Sequence, residues 1–219
     1  MSVAEKVVKA SEKMKALGGV FGQLPEELEW AAQFIEARAP LNVVVEIGVR
    51  YGGSLYFFSQ FLAPTGLIIG IDPYELPNAA PHVLTVLKES KPLADRVIEQ
   101  LRGQGQEVHL VNERSENALP AVQKLLNGRQ VDLLHIDGNH EYAAARKDFE
   151  MYEPLVKSGG LIQMHDIGCK PPHAKTHSSE YWNELKAQYG EAAHSFTQLL
   201  AYGQRRGTGV IVKGTSSAR

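Results

Sequence analysis

Apolar residues recur at helical spacing from the start of the chain. Val3, Val7, Ala10, Met14 and Leu17 fall on one stripe, and Gly18-Gly19 supplies a stop. A second helix is expected from Pro25, which suits a first helical position, through Leu28, Ala31, Ala32 and Ile35 to a break at Pro40. Neither stripe carries obvious chemistry, so residues 1–40 read as helices that serve packing, a lid or a dimer contact. From residue 41 the texture changes. Short, nearly continuous apolar runs at 41–47, 67–71, 108–111, 131–136 and 161–164 alternate with helical stretches near 53–63, 82–102, 120–127 and 141–157. Runs without polar alternation suit parallel strands covered on both faces.

Five such strands with crossover helices predict a doubly wound, mostly parallel α/β sheet of the Rossmann-like kind. Asn127-Gly128 and Ser158-Gly159-Gly160 read as helix exits. Residues 166–178 lack an apolar period and are expected to form a loop, followed by a helix near 179–189. Two further strands, at 196–202 and 209–212, predict a C-terminal antiparallel hairpin and bring the sheet to seven strands. The domain then spans 41–213, and 214–219 is a tail.

Composition narrows the classes. Among 219 residues, 43% are hydrophobic and 22% charged, which is ordinary for a folded globular chain. A formal charge of −2 gives no global pull toward nucleic acid. No run approaches the ~20 apolar residues of a membrane span, and the charges at Glu5, Lys6, Lys9, Glu12, Lys13 and Lys15 interrupt any apolar leader core. With Cys169 the single cysteine, no intrachain disulfide forms, and a cytoplasmic setting is expected. The expected partner is a small molecule, not nucleic acid or membrane, and a homo-oligomer is compatible with the pattern.

The first strand runs into Glu46-Ile47-Gly48-Val49-Arg50-Tyr51-Gly52-Gly53-Ser54. Glycines at a strand-to-helix turn let a ligand approach the backbone, and the following helix offers free N–H groups. A dinucleotide fingerprint would need glycine where Arg50 stands, leaving E-x-G-x-x-x-G. The second strand ends in Asp72, placed to meet ribose hydroxyls or to cap the turn before Pro73. Strand, glycine turn, helix, strand and acid in this order indicate a nucleoside-type cofactor.

Ligands in open α/β sheets bind beyond the carboxyl ends of the strands, where Asp137 and Asp166 fall. With His165 they form a donor set for a divalent cation, Mg²⁺ or Mn²⁺, and His140 has the ordinary pKa of a general base. Each also has a plain structural reading: Asp137 as a turn cap, His140 as a helix cap, His165 as a core histidine. His135, alternating inside its strand, reads as structural. His173 and His177 lie four apart but lack further zinc ligands.

Leu134-His135-Ile136-Asp137-Gly138-Asn139-His140-Glu141-Tyr142 and Gly159-Gly160-Leu161-Ile162-Gln163-Met164-His165-Asp166 resemble two motifs of class I S-adenosylmethionine-dependent methyltransferases. The likeness is to the small-domain family of cephalosporin hydroxylase-like and macrocin O-methyltransferase-like proteins, over about residues 41–166. The resemblance implies that Glu46 and Gly48 lie beneath the cofactor, with Arg50 in the same turn. It places Ser54 near the methionyl carboxylate, Asp72 on the ribose and Ser115 near the adenine. Asp137 would serve both cofactor and metal, with His165 and Asp166 as further ligands; the histidine departs from the catechol-type pattern. The implied activity is methyl transfer to a small-molecule hydroxyl, of a sugar or natural product, with His140 as base and Mg²⁺ or Mn²⁺ assisting. The rivals are an NAD(P)-dependent oxidoreductase on a similar sheet and a non-catalytic cofactor-binding module.

Overall fold

The computed structural model describes residues 1–76, 79–168, 178–200 and 205–214. Cys169, His173, His177 and the tail from 215 lie outside the described residues. Helices α1 (Val3–Ala16) and α2 (Pro25–Glu36) come first. Ser2 caps α1 through a reciprocal pair with Glu5, and Pro25 opens α2 where its missing N–H is not needed. The sheet then builds from β1 (Leu41–Ile47), β2 (Leu62–Ile71), β3 (Glu107–Val111), β4 (Val131–Ile136), β5 (Val156–His165), β6 (Ala193–Leu199) and β7 (Arg205–Val212). Its order is β3-β2-β1-β4-β5-β7-β6. The first five strands pair in parallel, while β7 runs antiparallel to both β5 and β6. The crossover helices are α3 (Gly53–Ser59), α4 (Pro81–Gly103), α5 (Ser115–Leu126) and α6 (Tyr142–Tyr152), and α7 (Ser178–Tyr189) precedes the hairpin.

The doubly wound expectation holds because β1 and β4, the central strands, are buried on both faces and read as unbroken apolar runs. Val44, Leu133 and Leu161 face one core layer; Val43, Val45, Leu134 and Ile162 face the other. Several boundaries differ. Helix α3 stops at Ser59 and β2 begins at Leu62, so the stretch expected to continue as helix is already strand. Helix α5 starts five residues before Pro120, which sits inside it. Ser158-Gly159-Gly160 lies within β5, where a register break between Val131 and Leu133 absorbs the extra residues. The true exit from α6 is a short 3₁₀ turn at Glu153–Leu155. Asn127 does end α5, in the left-handed conformation with φ 47°.

The N-terminal helices are not an appendage. Val7, Ala10 and Met14 of α1 and Leu28, Ala31, Ala32 and Ile35 of α2 share one buried layer with β1 and α3. Among the described residues, no helix is long and apolar enough to cross a membrane.

Candidate functional site

Strand β1 delivers the chain into the glycine turn. Gly48, Arg50 and Gly52 all take positive φ, of 92°, 48° and 82°. The sequence reading gave Gly48 to ligand approach, and the structure adds a second reason for glycine there. A Cβ on Gly48 would lie 2.1 Å from the backbone oxygen of Asp137. The close neighbour is the protein's own β4 end, whose Asp137 N–H also donates to Ile47 O. Gly48 therefore sets the junction on which both motifs depend.

Glu46 is fully buried, and neither carboxyl oxygen has a hydrogen-bond partner. Burial pushes its pKa well up, against the lowering influence of the Ser54 hydroxyl. A buried carboxyl without well-formed hydrogen bonds is costly, about 1–3 kcal/mol, and its polar neighbours are the Ser54 hydroxyl and His135 Nε2, the latter at 3.8 Å. Asp72, also buried, accepts the Arg50 N–H through Oδ2 at 2.7 Å. It thus holds the turn as a cap whatever else it binds. Its pKa is raised by burial, partly offset by the Arg50 and Val49 N–H groups. Ser54 is buried on the first turn of α3. The Arg50 carbonyl accepts from the Tyr74 hydroxyl at 2.6 Å, its exposed guanidinium stacks over the Tyr51 ring, and its charge acts on Asp72.

Beyond the ends of β2 and β3 lies an open cavity of about 410 Å³, lined by Pro73, Glu75, Asn112, Arg114 and Asn117 among others. Ser115 begins α5 beside this region, but its hydroxyl donates to Asp148 at 2.5 Å, and its carbonyl accepts from Tyr152. Burial raises the Asp148 pKa to about 6 despite that hydrogen bond. The Ser115 hydroxyl proton is thus engaged by Asp148, which leaves its oxygen only as an acceptor.

The ends of β4 and β5 bring Asp137, His140, His165 and Asp166 together, as the spacing anticipated. His140 Nε2 lies 3.1 Å from Asp137 Oδ1, and its Nδ1 lies 2.9 Å from Asp166 Oδ2. His165 Nδ1 lies 3.0 Å from Asp137 Oδ1 and 3.7 Å from Asp166 Oδ1. Asp166 takes φ 56°, an unusual backbone state for a non-glycine residue that aims it back at His140. Burial alone would lower the His140 pKa, but hydrogen bonds to Asp137 and Asp166 outweigh it and raise it to about 10. The ordinary histidine value assumed from sequence is thus displaced by two carboxylates. His165 moves upward for the same reason, burial being overcome by the charge of Asp137 and by hydrogen bonds to Asp137 and Glu27. Asp137 moves well down, the His165 charge and the histidine hydrogen bonds outweighing its burial.

Two residues absent from the sequence reading complete the cluster, and both precede or belong to α2. Gln23 Nε2 donates to Asp137 Oδ2 at 2.7 Å. Glu27 is 1% exposed, and its Oε2 lies 3.2 Å from His165 Nε2. A signal was present: Glu27 lies four residues before Ala31 and eight before Ile35, on the buried stripe of α2. His135, read as structural, is also part of this surround. Its Nε2 stands 3.8 Å from both Glu46 and Asp137, and neither ring nitrogen makes a hydrogen bond.

The metal expectation fares differently. Asp137, His165 and Asp166 have suitable donor chemistry, but their atoms pair with one another as ion pairs. Among the described residues, no group of three or more His, Cys, Asp or Glu side chains is arranged to hold a metal ion.

Comparison with known proteins places this architecture. A family model described as a methyltransferase domain matches residues 45–167, from Val45 within β1 to the residue after Asp166. An uncharacterized protein of Acanthamoeba polyphaga mimivirus is 32% identical over 124 residues, covering 56% of this chain and 50% of that protein. One from Sinorhizobium fredii is 26% identical over 147 residues, 66% of this chain and 15% of that protein. The chain thus spans half or less of these relatives. Among solved structures, the O-methyltransferase TomG of Streptomyces achromogenes, in complex with S-adenosylmethionine, superposes with a TM-score of 0.64 at 16% identity. That match covers 96% of this chain and 90% of TomG. A Bacillus cereus O-methyltransferase in complex with S-adenosylhomocysteine gives 0.61 at 15% identity, covering 95% and 91%. MycE, a methyltransferase of mycinamycin biosynthesis in complex with Mg and S-adenosylhomocysteine, gives 0.56 at 18%, covering 95% and 55%. By its matched profile, its strand order and its glycine turn, the chain belongs to the methyltransferase-domain family and has the class I S-adenosylmethionine-dependent methyltransferase fold.

Proposed function

We propose that the protein is an S-adenosylmethionine-dependent O-methyltransferase that acts on a hydroxyl of a small molecule, of the sugar or natural-product kind. One observation carries the reading: an acid–histidine cluster stands beside Glu46, a buried carboxyl at the end of β1 whose oxygens lack hydrogen-bond partners of good geometry. Glu46 fits the ammonium of the cofactor's methionyl end, because a cation would relieve its desolvation. Asp72 suits the ribose hydroxyls, and the cavity by Asn112 and Asn117 has room for the base. When bound, the cofactor supplies an electrophilic methyl on a sulfonium centre.

The chain's own residues then orient the acceptor and move its proton. Asp137 and Asp166 hold His140 from both ring nitrogens, so the ring has one orientation. In the cofactor-free protein those carboxylates keep it protonated. The cofactor would bring positive charge to the same acidic cluster, which favours the neutral ring; once His140 Nδ1 leaves Asp166, that nitrogen can accept the hydroxyl proton while Nε2 keeps donating to Asp137. Holding the oxygen in line with the methyl supplies the remaining advantage.

A second reading adds a divalent cation, motivated by the magnesium in the MycE structure. Asp137, His165 and Asp166 would hold it once His165 gives up its Nδ1 contact with Asp137. Their present arrangement does not fit a metal, and no step above depends on one. The experiment is transfer of labelled methyl from S-adenosylmethionine to a panel of sugar and phenolic hydroxyl compounds, with and without chelator. Product formation that survives the chelator supports the histidine mechanism. Product lost with chelator and restored by Mg²⁺ supports the second reading. Labelled methyl found on no acceptor counts against both.

A further inference from the structure

We propose that Glu27, on the N-terminal helix α2, is a positioning residue for methyl transfer that fixes His165 and, through it, the Asp137 carboxylate. The inference rests on the functional reading above. Glu27 occupies a stripe of α2 that otherwise buries Leu28, Ala31, Ala32 and Ile35. A carboxyl group on such a face is kept only where something polar meets it. Its Oε2 is shared between the Leu24 N–H, at 3.0 Å, and His165 Nε2, at 3.2 Å. Its Oε1 is buried with no partner, so helix capping alone does not account for the side chain.

His165 is 4% exposed, and the two faces of its ring edge meet Glu27 on one side and Asp137 on the other. Solvent therefore does not orient the ring; Asp137 holds Nδ1 and Glu27 holds Nε2. Asp137 is braced a second time by Gln23, just before α2, whose side chain donates to Oδ2. His165 on Oδ1 and Gln23 on Oδ2 hold the Asp137 carboxylate from both oxygens, and Asp137 sets one side of His140. The chain of contacts runs from α2 to the group that takes the acceptor proton. An N-terminal segment that shares a core layer with α3 is thereby part of the reacting centre.

The test compares Glu27→Leu, which fills the buried stripe without an acceptor, with Glu27→Gln, which keeps the volume and one acceptor oxygen. Three quantities are read on the full chain. These are the ¹⁵N-histidine NMR signals of His165, S-adenosylhomocysteine affinity by calorimetry, and kcat on an acceptor found in the labelled-methyl panel. The expected result for Glu27→Leu is a displaced His165 Nε2 signal, kcat down about 10–100-fold, and unchanged S-adenosylhomocysteine affinity. Glu27→Gln should fall between parent and Glu27→Leu in both signal and kcat. Parental kcat in Glu27→Leu overturns the inference, as does an undisturbed His165 signal. So does a loss of cofactor-product affinity equal to the loss of kcat, which marks a role in folding alone. If Glu27→Leu does not fold, Glu27→Gln decides by the same criteria. A parent that transfers no methyl to any acceptor overturns the functional reading, and this inference falls with it.

Discussion

Gly48→Ala is expected to destabilise the protein, not merely to weaken ligand binding. Two separate penalties act there. The backbone sits at φ 92°, where an L side chain is strained by roughly 1–2 kcal/mol. The new Cβ also meets the Asp137 carbonyl oxygen at 2.1 Å, so the ends of β1 and β4 must part by about an ångström. Overpacking of that kind costs typically 1–3 kcal/mol, which brings the total to about 2–5 kcal/mol. At about 2–4 °C per kcal/mol for a chain of this size, the melting temperature should fall by roughly 5–20 °C. Gly128→Ala is the control. It has φ 82° but nothing within 4 Å of the added Cβ, so it isolates the backbone term. Thermal unfolding followed by circular dichroism separates the two. If Gly48→Ala melts no lower than Gly128→Ala, the contact between the glycine turn and the Asp137 carbonyl is wrongly drawn.

Three further outcomes follow from the same contacts. His140→Ala should lower kcat by roughly 10²–10⁴-fold with S-adenosylhomocysteine affinity retained; parental turnover in an acceptor assay would remove His140 from the mechanism. Because the folded pKa of His140 is raised to about 10, its contribution to stability is full below the unfolded value near 6.5 and is lost as pH rises through 10. Urea unfolding between those limits should show stability falling by up to about 1.4 kcal/mol per pH unit from this group, a slope that flattens in His140→Ala. Asp72→Asn keeps an acceptor for the Arg50 N–H, so the turn should survive. S-adenosylhomocysteine affinity should nonetheless drop about 10–100-fold as a charged hydrogen bond is lost, and calorimetry showing parental affinity would leave Asp72 a cap alone.

The sheet was legible because strands buried on both faces cannot alternate, and Leu41–Ile47 and Val131–Ile136 read accordingly. Asp137 and Asp166 were legible as strand ends, since position in an open sheet fixes where a ligand can sit. Other features needed three dimensions. Gly159 and Gly160 looked like a helix exit because glycine marks helix ends and strand irregularities alike, and only the pairing of β4 with β5 distinguishes them. Glu27 was hidden among Glu26, Glu27 and Glu29, where acids at a helix start are ordinary, and its partner lies 138 positions away. The His140 pKa depended on Asp166, which the left-handed backbone at that residue turns inward. The Ser115 hydroxyl was spent on Asp148, a residue that the helical pattern of α6 gave no reason to single out.

The glycine turn with Glu46 and Asp72 is expected to receive S-adenosylmethionine and not a dinucleotide. Calorimetric titration of the full chain with S-adenosylhomocysteine and, separately, with NAD⁺ tests it directly. The expected result is saturable binding of S-adenosylhomocysteine, weakened in Asp72→Asn, and no binding of NAD⁺. Binding of NAD⁺, with S-adenosylhomocysteine giving no heat above dilution, would contradict it.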